Sequence, residues 1–277
     1  MSTNRELYFR YQKEGIPDTV IYFALEECNG FNHLLLTNNF DQEIKDENRF
    51  VDAMNRYQNG EMIEYIFNRA YFLSRLFYVD KNVLIPRQET EQLVLSTTKL
   101  IKETFNQRFI RIADVCSGSG AIGLSLAHNF KDSVVTLSDI STDALAVSLR
   151  NIYEQGLKNV QCVESDMLDR FIAEGSHFDV IVCNPPYIEN EETIDEKTWK
   201  QEPHLALLAK PATLYYEKVL KDYLKVVNDT YLLCFEIGED LEERLTELVK
   251  KYCKGCSFFF EKDIYNRTRF LFIKGEK

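Results

Sequence analysis

The sequence has few histidines, and its cysteines are not spaced as in a metal site or a disulfide framework. Only four histidines occur among the 277 residues, and they are dispersed along the chain. The seven cysteines are an odd number, which suits a reducing compartment better than a set of disulfides. Cys253 and Cys256 form a lone C-x-x-C without a nearby histidine, so accidental spacing explains them better than zinc. We therefore expect no metal site.

The sequence also lacks an apolar stretch long enough to span a membrane. Its first residues include Glu6 and Glu14 among basic side chains, and they resemble neither a signal peptide nor a transit peptide. A hydrophobic share of 45% is enough for a sizeable core in a chain of this length. These features predict a globular protein of the cytoplasm that has no membrane partner.

A basic stripe of the kind that binds nucleic acid is not apparent either. The formal net charge is −11, with 33 basic and 44 acidic side chains. Proteins that bind the phosphate backbone usually neutralise it with clustered lysine and arginine side chains. We therefore expect no direct binding of nucleic acid.

The pattern of the sequence changes near residue 75. Before that point, residues 19–28 and 47–56 have helical spacing, and turns that contain glycine separate such stretches. This pattern predicts a small helical domain over residues 1–75. Aromatic and β-branched residues then alternate until Leu84-Ile85-Pro86-Arg87 interrupts them. We therefore expect a connector over residues 76–108 that contains a β-hairpin and a helix.

From residue 109 to residue 277, stretches with strand character alternate with stretches that have helical spacing. Such alternation is typical of an open, doubly wound α/β sheet. The candidate strands cover residues 110–115, 134–139, 160–165, 178–183 and 231–237.

Three of the candidate strands end in residues that can bind a nucleoside. Ligands of open α/β sheets bind beyond the carboxyl ends of the strands. The first candidate strand ends in Asp114-Val115-Cys116-Ser117-Gly118-Ser119-Gly120, whose glycines allow a ligand to approach the backbone closely. Asp139 ends the second, and its carboxylate can accept hydrogen bonds from both hydroxyls of a ribose. Asp166 and Met167 follow the third, where they can bind an adenine through its amino group and its ring.

Two nucleoside ligands fit this pattern. Gly118, Gly120 and Gly123 match G-x-G-x-x-G, and Asp139 lies near the distance expected in a dinucleotide fingerprint, which favours NAD. Asp114 favours S-adenosylmethionine, because its carboxylate would repel a pyrophosphate but could accept hydrogen bonds from an ammonium group.

The fourth candidate strand is followed by Asn184-Pro185-Pro186-Tyr187. Two prolines end a strand rigidly, because each lacks an N–H group, and they leave their carbonyl oxygens free. The Asn184 side chain adds another acceptor, and Tyr187 offers a flat ring. Such a corner can accept both hydrogens of a planar NH2 group and hold its nitrogen toward an electrophile. It predicts a methyl-acceptor site, with an ordinary turn as the alternative.

Together these motifs resemble those of the protein-(glutamine-N5) methyltransferases that modify peptide chain release factors. The connector Pro86-Arg87-Gln88-Glu89-Thr90-Glu91, joined to a helical N-terminal domain, favours this branch over other enzymes with the same N-P-P-Y motif. The resemblance also covers residues 60–66, 114–120 and 178–188, Glu202-Pro203, Ala206-Leu207, Asp263 and Arg269. It implies the class I S-adenosylmethionine-dependent fold, with a seven-stranded, mostly parallel sheet and an N-terminal helical domain that recognises the substrate.

The resemblance implies methyl transfer from S-adenosylmethionine to the glutamine side-chain nitrogen in the G-G-Q loop of a class I release factor. It implies that Asn184, Pro185 and Tyr187 are catalytic and that these three residues and Pro186 bind the substrate. We expect the Tyr187 ring to pack against the plane of the substrate amide. Arg87 would either bind the substrate or form a structural ion pair. We expect a monomer. The implied cofactor-binding residues are Asp114, Cys116, Ser117, Gly118, Ser119, Gly120, Asp139, Asp166, Met167 and Asn184.

Three other functions fit the same motifs. They are an amino methyltransferase of nucleic acid, acting on adenine N6 or guanine N2, a glutamine methyltransferase of a ribosomal protein, and a cofactor-binding protein without activity. Three positions also depart from the family pattern. Cys116 and Asn68 stand where glycine is usual, and Gln88 stands where proline is usual. A side chain at Cys116 is tolerable if its φ angle is negative.

Overall fold

The computed structural model describes residues 1–106 and 108–277, which form two compact units. The first unit comprises Met1–Arg69 together with Glu196–Gln201. The second comprises Ala70–Asp195 and Glu202–Lys277. The two units thus divide between Arg69 and Ala70, a few residues before the boundary predicted from the sequence. Helical spacing alone does not indicate that Glu196–Gln201 joins the first unit.

The first unit consists of short helices around an apolar core. Its helices are α1 (Asn4–Lys13), α2 (Asp18–Asn29), α3 (His33–Asn38), α4 (Glu47–Gln58), α5 (Ile63–Phe67) and the later helix Glu196–Gln201. A capping box between Thr3 and Glu6 starts α1. Leu7, Leu25 and Phe50 are fully buried in the core.

The helix Glu196–Gln201 is attached to the first unit through the side-chain amide of Gln201. The Gln201 Oε1 atom accepts the Met62 N–H at 2.9 Å, and its Nε2 atom donates to the Gly60 carbonyl at 2.7 Å. Lys197 adds a cation–π contact, with its Nζ atom 4.2 Å from the centre of the Tyr57 ring. A segment distant in sequence is therefore fixed beside the loop between α4 and α5.

The second unit carries the main sheet. Its strands are β1 (Arg69–Phe72), whose first residue ends the first unit, β2 (Arg75–Tyr78), β3 (Arg111–Val115), β4 (Val134–Asp139), β5 (Val160–Glu164), β6 (Phe178–Cys183), β7 (Val227–Glu236), β8 (Ser257–Lys262) and β9 (Thr268–Glu276). Its helices are α6 (Gln88–Phe105), α7 (Ala121–Asn129), α8 (Thr142–Glu154), α9 (Asp169–Glu174), α11 (Leu214–Asp222) and α12 (Glu242–Tyr252); the helix Glu196–Gln201 is α10. Across the described residues, no helix has both the length and the apolar character needed to cross a membrane.

Seven of these strands form one sheet in the order β5-β4-β3-β6-β7-β9-β8. Neighbours from β5 to β7 pair in parallel, whereas β9 runs antiparallel to both β7 and β8. The remaining strands, β1 and β2, form a separate two-stranded sheet. The predicted fold class, a doubly wound and mostly parallel seven-stranded sheet, is confirmed.

Alternating side chains of the central strands enter two separate cores. On β3, Ile112 packs with Leu93 of α6 and Leu124 of α7 on one face of the sheet. The next residue, Ala113, belongs to the core on the other face, which includes Tyr216 of α11. This alternation is the period of two that a strand buried on both faces requires.

Helix α7 packs unusually closely against β3 and β4 at Gly123. The Gly123 N–H donates to the Asp114 Oδ2 atom at 2.7 Å. A Cβ atom at Gly123 would lie 2.2 Å from the Leu137 Cδ2 atom and 2.8 Å from that same Asp114 oxygen. The third glycine of the G-x-G-x-x-G pattern therefore permits close packing of helix and strand.

We predict that Gly123→Ala destabilises the protein. Alanine normally favours a helix interior over glycine by about 1 kcal/mol. Here the added methyl group has no room, and overpacking of this kind costs about 1–3 kcal/mol or more. Urea unfolding followed by circular dichroism measures the change. A rise in stability would contradict the close contact with Leu137.

Candidate functional site

A cleft of about 190 Å³ opens in the second unit at the carboxyl ends of the parallel strands. The chain runs outward from β3 through β4 to β5 and then returns to β6 on the other side of β3, and sheets of this kind bind ligands where the strand order reverses. The loops after β3, β4, β5 and β6 all contribute to the cleft wall, through Ser117, Asp139, Met167 and Asn184 among others. The structure therefore brings together the strand ends singled out in the sequence.

Hydrogen bonds to its backbone hold the loop after β3, and of its two glycines Gly118 lines the cleft, whereas Gly120 does not. The Ser117 N–H donates to the Ser138 carbonyl at 2.9 Å, and the Ser148 hydroxyl donates to the Gly118 carbonyl at 2.8 Å. Gly118 has φ = 53° and Gly120 has φ = 80°. Both values lie in the left-handed region, where glycine avoids the strain of a Cβ atom.

Cys116 adopts a conformation that the sequence did not lead us to expect. Its φ angle is 59°, so the condition of a negative φ is not met. Its Sγ atom lies 3.6 Å from the Sδ atom of Met167, which also has a positive φ, of 50°. A cysteine where the family usually has glycine therefore carries backbone strain, and its sulfur packs at the cleft wall. Asn68, the other such position, likewise has a positive φ, of 54°.

Asp139 lies at the cleft wall with both carboxylate oxygens anchored. Its Oδ2 atom accepts the Gly118 N–H, and its Oδ1 atom accepts the Ser141 N–H, each at 2.9 Å. Burial raises the pKa of Asp139, and these backbone donors oppose that shift. A carboxylate has about four lone-pair sites, so a ligand hydroxyl can share these oxygens with the backbone donors.

Asp114 is fully buried and is not among the residues that line the cleft. Burial raises its pKa to about 7, because removal from water disfavours the charged form. Among the described residues, neither its Oδ1 atom nor the buried hydroxyl of Ser117 has a hydrogen-bond partner. Unpaired buried polar atoms are rare in proteins, and here they fit a ligand that brings its own donors.

Asp166 lines the cleft but is already paired. Both of its carboxylate oxygens accept hydrogen bonds from the Lys218 Nζ atom, at 2.8 and 3.0 Å. An adenine amino group would have to share this carboxylate with the lysine. No cluster of histidine, cysteine or carboxylate side chains in the described parts of the chain is suited to hold a metal ion.

The N-P-P-Y corner rests on a buried carboxylate. Asn184 and Pro186 line the cleft, as does Thr90 from α6. The Thr90 hydroxyl donates to the Glu236 Oε2 atom at 2.6 Å, and the Asn184 Nδ2 atom donates to the Thr90 Oγ1 atom at 3.4 Å. Tyr187 does not line the cleft; its hydroxyl donates to the Glu236 Oε1 atom at 3.3 Å. Pro185 is buried and does not line the cleft.

Burial raises the pKa of Glu236, and the bond from Thr90 and the charge of Arg269 oppose that shift. Arg269 donates to the Asp263 carboxylate and to the Ile237 carbonyl, each at 3.4 Å. The two residues near the end of the chain that match the family pattern therefore lie beside the network under the corner.

Arg87 forms an ion pair at the cleft wall. Its Nη2 atom lies 2.5 Å from the Glu202 Oε2 atom, and the other Glu202 oxygen accepts the Ile85 N–H at 3.1 Å. The Glu202 side chain is fully buried, whereas 36% of the Arg87 side chain is exposed. Arg87 thus forms the structural ion pair, and its partly exposed side chain also lines the cleft.

Sequence reasoning did not single out Glu236 or Lys218. A carboxylate within the apolar stretch of residues 231–237 was the available signal for Glu236, because buried carboxylates are usually paired. Lys218 gave no such signal, since its partner Asp166 lies 52 residues away.

Comparisons with known proteins identify the family. A model of the methyltransferase small domain matches residues 91–201. The release factor glutamine methyltransferase of Mycoplasma mycoides subsp. mycoides is 31% identical over 260 residues, which cover 92% of this chain and 91% of that protein. The chain belongs to the release factor glutamine methyltransferase family. The protein of that name in Bacillus subtilis is 34% identical over 80% of this chain and 78% of its own length.

The fold is shared with methyltransferases of known structure. A methyltransferase from Pyrococcus furiosus has a TM-score of 0.51 and 18% identity, over 73% of this chain and 89% of that chain. Membership of the family makes the chain an enzyme whose methyl donor is S-adenosylmethionine, so the NAD alternative is excluded.

We predict that the strain at Cys116 can be measured by comparing Cys116→Gly with Cys116→Ala. Both variants lose the sulfur, but only alanine keeps a Cβ atom in the left-handed region. The free energy of unfolding of the Cys116→Ala variant should therefore be lower than that of the Cys116→Gly variant by about 1 kcal/mol. Urea unfolding measures the difference. Ala146→Gly is the control. Ala146 is exposed within α8, where glycine should lower the stability of the protein because it disfavours a helix relative to alanine. Equal stability of the two Cys116 variants would contradict the strain.

Proposed function

We propose that this enzyme methylates the side-chain amide nitrogen of the glutamine in the G-G-Q loop of class I peptide chain release factors. The observation that carries the proposal is the placement of Asn184 on the wall of the cofactor cleft, at a strand end closed by two prolines. The names of the relatives from Mycoplasma mycoides and Bacillus subtilis support the same substrate.

The residues around the cleft fit S-adenosylmethionine. Asp139 would accept the ribose hydroxyls, and the loop of residues 116–120 would approach the methionine part of the cofactor. The buried Asp114 Oδ1 atom and the Ser117 hydroxyl would gain polar partners. Asp166 and Met167 would contact the adenine, with Lys218 sharing the Asp166 carboxylate. When bound, the cofactor supplies an electrophilic methyl group on a sulfonium centre.

An amide nitrogen is a poor nucleophile, because its lone pair is delocalised into the carbonyl group. The protein therefore has to orient the NH2 group and stabilise the positive charge that develops on its nitrogen. We assign this role to the Asn184 side-chain oxygen and the Pro185 carbonyl, each accepting one hydrogen of the substrate. Pro186 and the exposed part of Arg87 would contact the substrate loop.

The role of Tyr187 differs from the one expected from the sequence. Its hydroxyl binds Glu236, and its ring lies 3.4 Å from the position that a Cβ atom of Gly238 would occupy. We therefore assign Tyr187 to holding the corner in place rather than to stacking on the substrate amide.

The partner is a folded protein, and we assign its recognition to the helical first unit. An enzyme of this kind acts in the cytoplasm as a monomer and needs no direct contact with nucleic acid. Mass spectrometry of a purified release factor, incubated with enzyme and S-adenosylmethionine, tests the function. We expect one added methyl group on the peptide that contains G-G-Q. Methylation of another residue, or none, would refute the proposal.

We predict that Asp139→Ala weakens binding of S-adenosylhomocysteine at least tenfold. Hydrogen bonds to a charged carboxylate are worth on the order of 1.5–3 kcal/mol each, and this variant removes two acceptors. Isothermal calorimetry measures the affinity. Asp143→Ala serves as the control, because Asp143 is exposed in the first turn of α8. Unchanged affinity of the Asp139→Ala protein for S-adenosylhomocysteine would show that Asp139 does not bind the cofactor.

We predict that Asn184→Ala lowers the rate of methyl transfer by on the order of a hundredfold, because one substrate N–H loses its acceptor. The measurement is single-turnover transfer to a release factor at saturating cofactor, with folding checked by circular dichroism. Asn190→Ala is the control, because Asn190 is exposed further along the same loop. A near wild-type rate in the Asn184→Ala variant would show that the N-P-P-Y motif is only a structural turn.

A further inference from the structure

We propose that Thr90 and Glu236 are positioning residues that determine which atom of the Asn184 side-chain amide faces the substrate. The inference rests on the proposed function and deepens it, because it explains how an acceptor is presented to a substrate NH2 group. Neither residue needs to touch the substrate nitrogen.

The three side chains form a chain of hydrogen bonds with a defined direction. Glu236 ends β7 with 3% of its surface exposed, and its Oε2 atom lies 2.6 Å from the Thr90 hydroxyl. Thr90, the third residue of α6, is also buried, with 4% exposed. The Asn184 Nδ2 atom lies 3.4 Å from the same hydroxyl oxygen.

The direction follows from the number of hydrogens available. An ionised carboxylate carries none, so the hydrogen of the Thr90 hydroxyl must point to Glu236. The Thr90 oxygen then presents only lone pairs to Asn184. An asparagine side chain can satisfy those lone pairs only with its NH2 group. The Asn184 NH2 group is therefore turned inward, and its carbonyl oxygen is left to face the cleft.

The orientation matters because the two ends of an asparagine amide have nearly the same shape but opposite hydrogen-bonding character. If the amide turned over, its NH2 group would face the NH2 group of the substrate. Two donors cannot bind each other, and the substrate nitrogen would lose one of the acceptors that orient it. An unpaired N–H in a desolvated site is costly, so the turned-over form should be slow in methyl transfer.

Other contacts keep Glu236 in a position to direct Thr90. Tyr187 donates to the second carboxylate oxygen, and Tyr216 donates to the Glu236 backbone carbonyl at 2.8 Å. Burial raises the pKa of Glu236, and the hydrogen bonds from Thr90 and Tyr187 and the nearby Arg269 guanidinium oppose that shift by favouring the ionised form. The carboxylate is thus held from several sides, while its Oε2 atom receives the Thr90 hydrogen.

The test compares Thr90→Val with Thr90→Ser. Valine has nearly the shape of threonine but no hydroxyl, whereas serine keeps the hydroxyl and loses only a methyl group. We expect Thr90→Val to lower the single-turnover rate of release factor methylation about tenfold or more, and Thr90→Ser to stay within about threefold of wild type. The KM for the release factor and the affinity for S-adenosylhomocysteine should change little in either variant.

Glu236→Gln provides an independent variant. The side-chain NH2 group that this substitution introduces can donate to Thr90, which would free the Thr90 hydrogen to point at Asn184 and favour the turned-over amide. We expect a loss of rate similar to that of Thr90→Val, although Thr90 is intact. The double variant should be no slower than the slower single variant, because both changes act on one chain of hydrogen bonds.

Each outcome decides the proposal. A folded Thr90→Val protein with the wild-type rate would overturn it, as would equal losses in the valine and serine variants, which would indicate packing rather than the hydroxyl. If Thr90→Val does not fold, the serine variant and Glu236→Gln decide, and a wild-type rate in Glu236→Gln overturns the proposal. Wild-type enzyme that transfers no methyl group to the release factor would instead refute the proposed function, and the positioning role with it.

Discussion

Burial of the Glu236 carboxylate is the constraint on which the arrangement of the candidate site depends. A buried charge is costly unless it is paired and hydrogen-bonded, and this one is satisfied by Thr90 and Tyr187. These partners lie 146 and 49 residues away in the sequence. The carboxylate can be satisfied only when α6, the end of β7 and the corner after β6 come together. The same contacts therefore stabilise the fold around the corner and place Asn184 at the cleft wall.

The side of the cleft to which we assign the cofactor differs from the corner, because it contains polar groups without partners and residues with strained backbone. Asp114 and Ser117 have buried oxygens with no partner among the described residues. Cys116 and Met167 hold positive φ angles on the same side. Such features lower the stability of a protein, and they are common where a ligand supplies the missing contacts. One wall of the cleft thus rests on a hydrogen-bonded carboxylate, whereas the other leaves buried polar atoms without a partner among the described residues.

The sequence allowed prediction of the fold class and of the strand ends that form the cleft, because both depend on local periodicity and on glycine and proline at fixed positions. The partners of those residues could not be predicted. Lys218 pairs with Asp166, and Glu202 with Arg87, across 52 and 115 residues of sequence. The positive φ of Cys116 also escaped prediction, since a cysteine gives no sign of it. Local patterns indicate where a site lies, whereas long-range contacts determine how its side chains are oriented.

The structure of the enzyme bound to S-adenosylhomocysteine and a release factor is the most direct test of the role of the N-P-P-Y corner. The distance to measure joins the nitrogen of the G-G-Q glutamine side chain to the Asn184 side-chain oxygen. We expect about 2.9 Å, with the Pro185 carbonyl at a similar distance from the same nitrogen and the Asn184 NH2 group directed to Thr90. A glutamine nitrogen that lies beyond hydrogen-bonding distance of both oxygens would contradict the proposed orientation of the substrate.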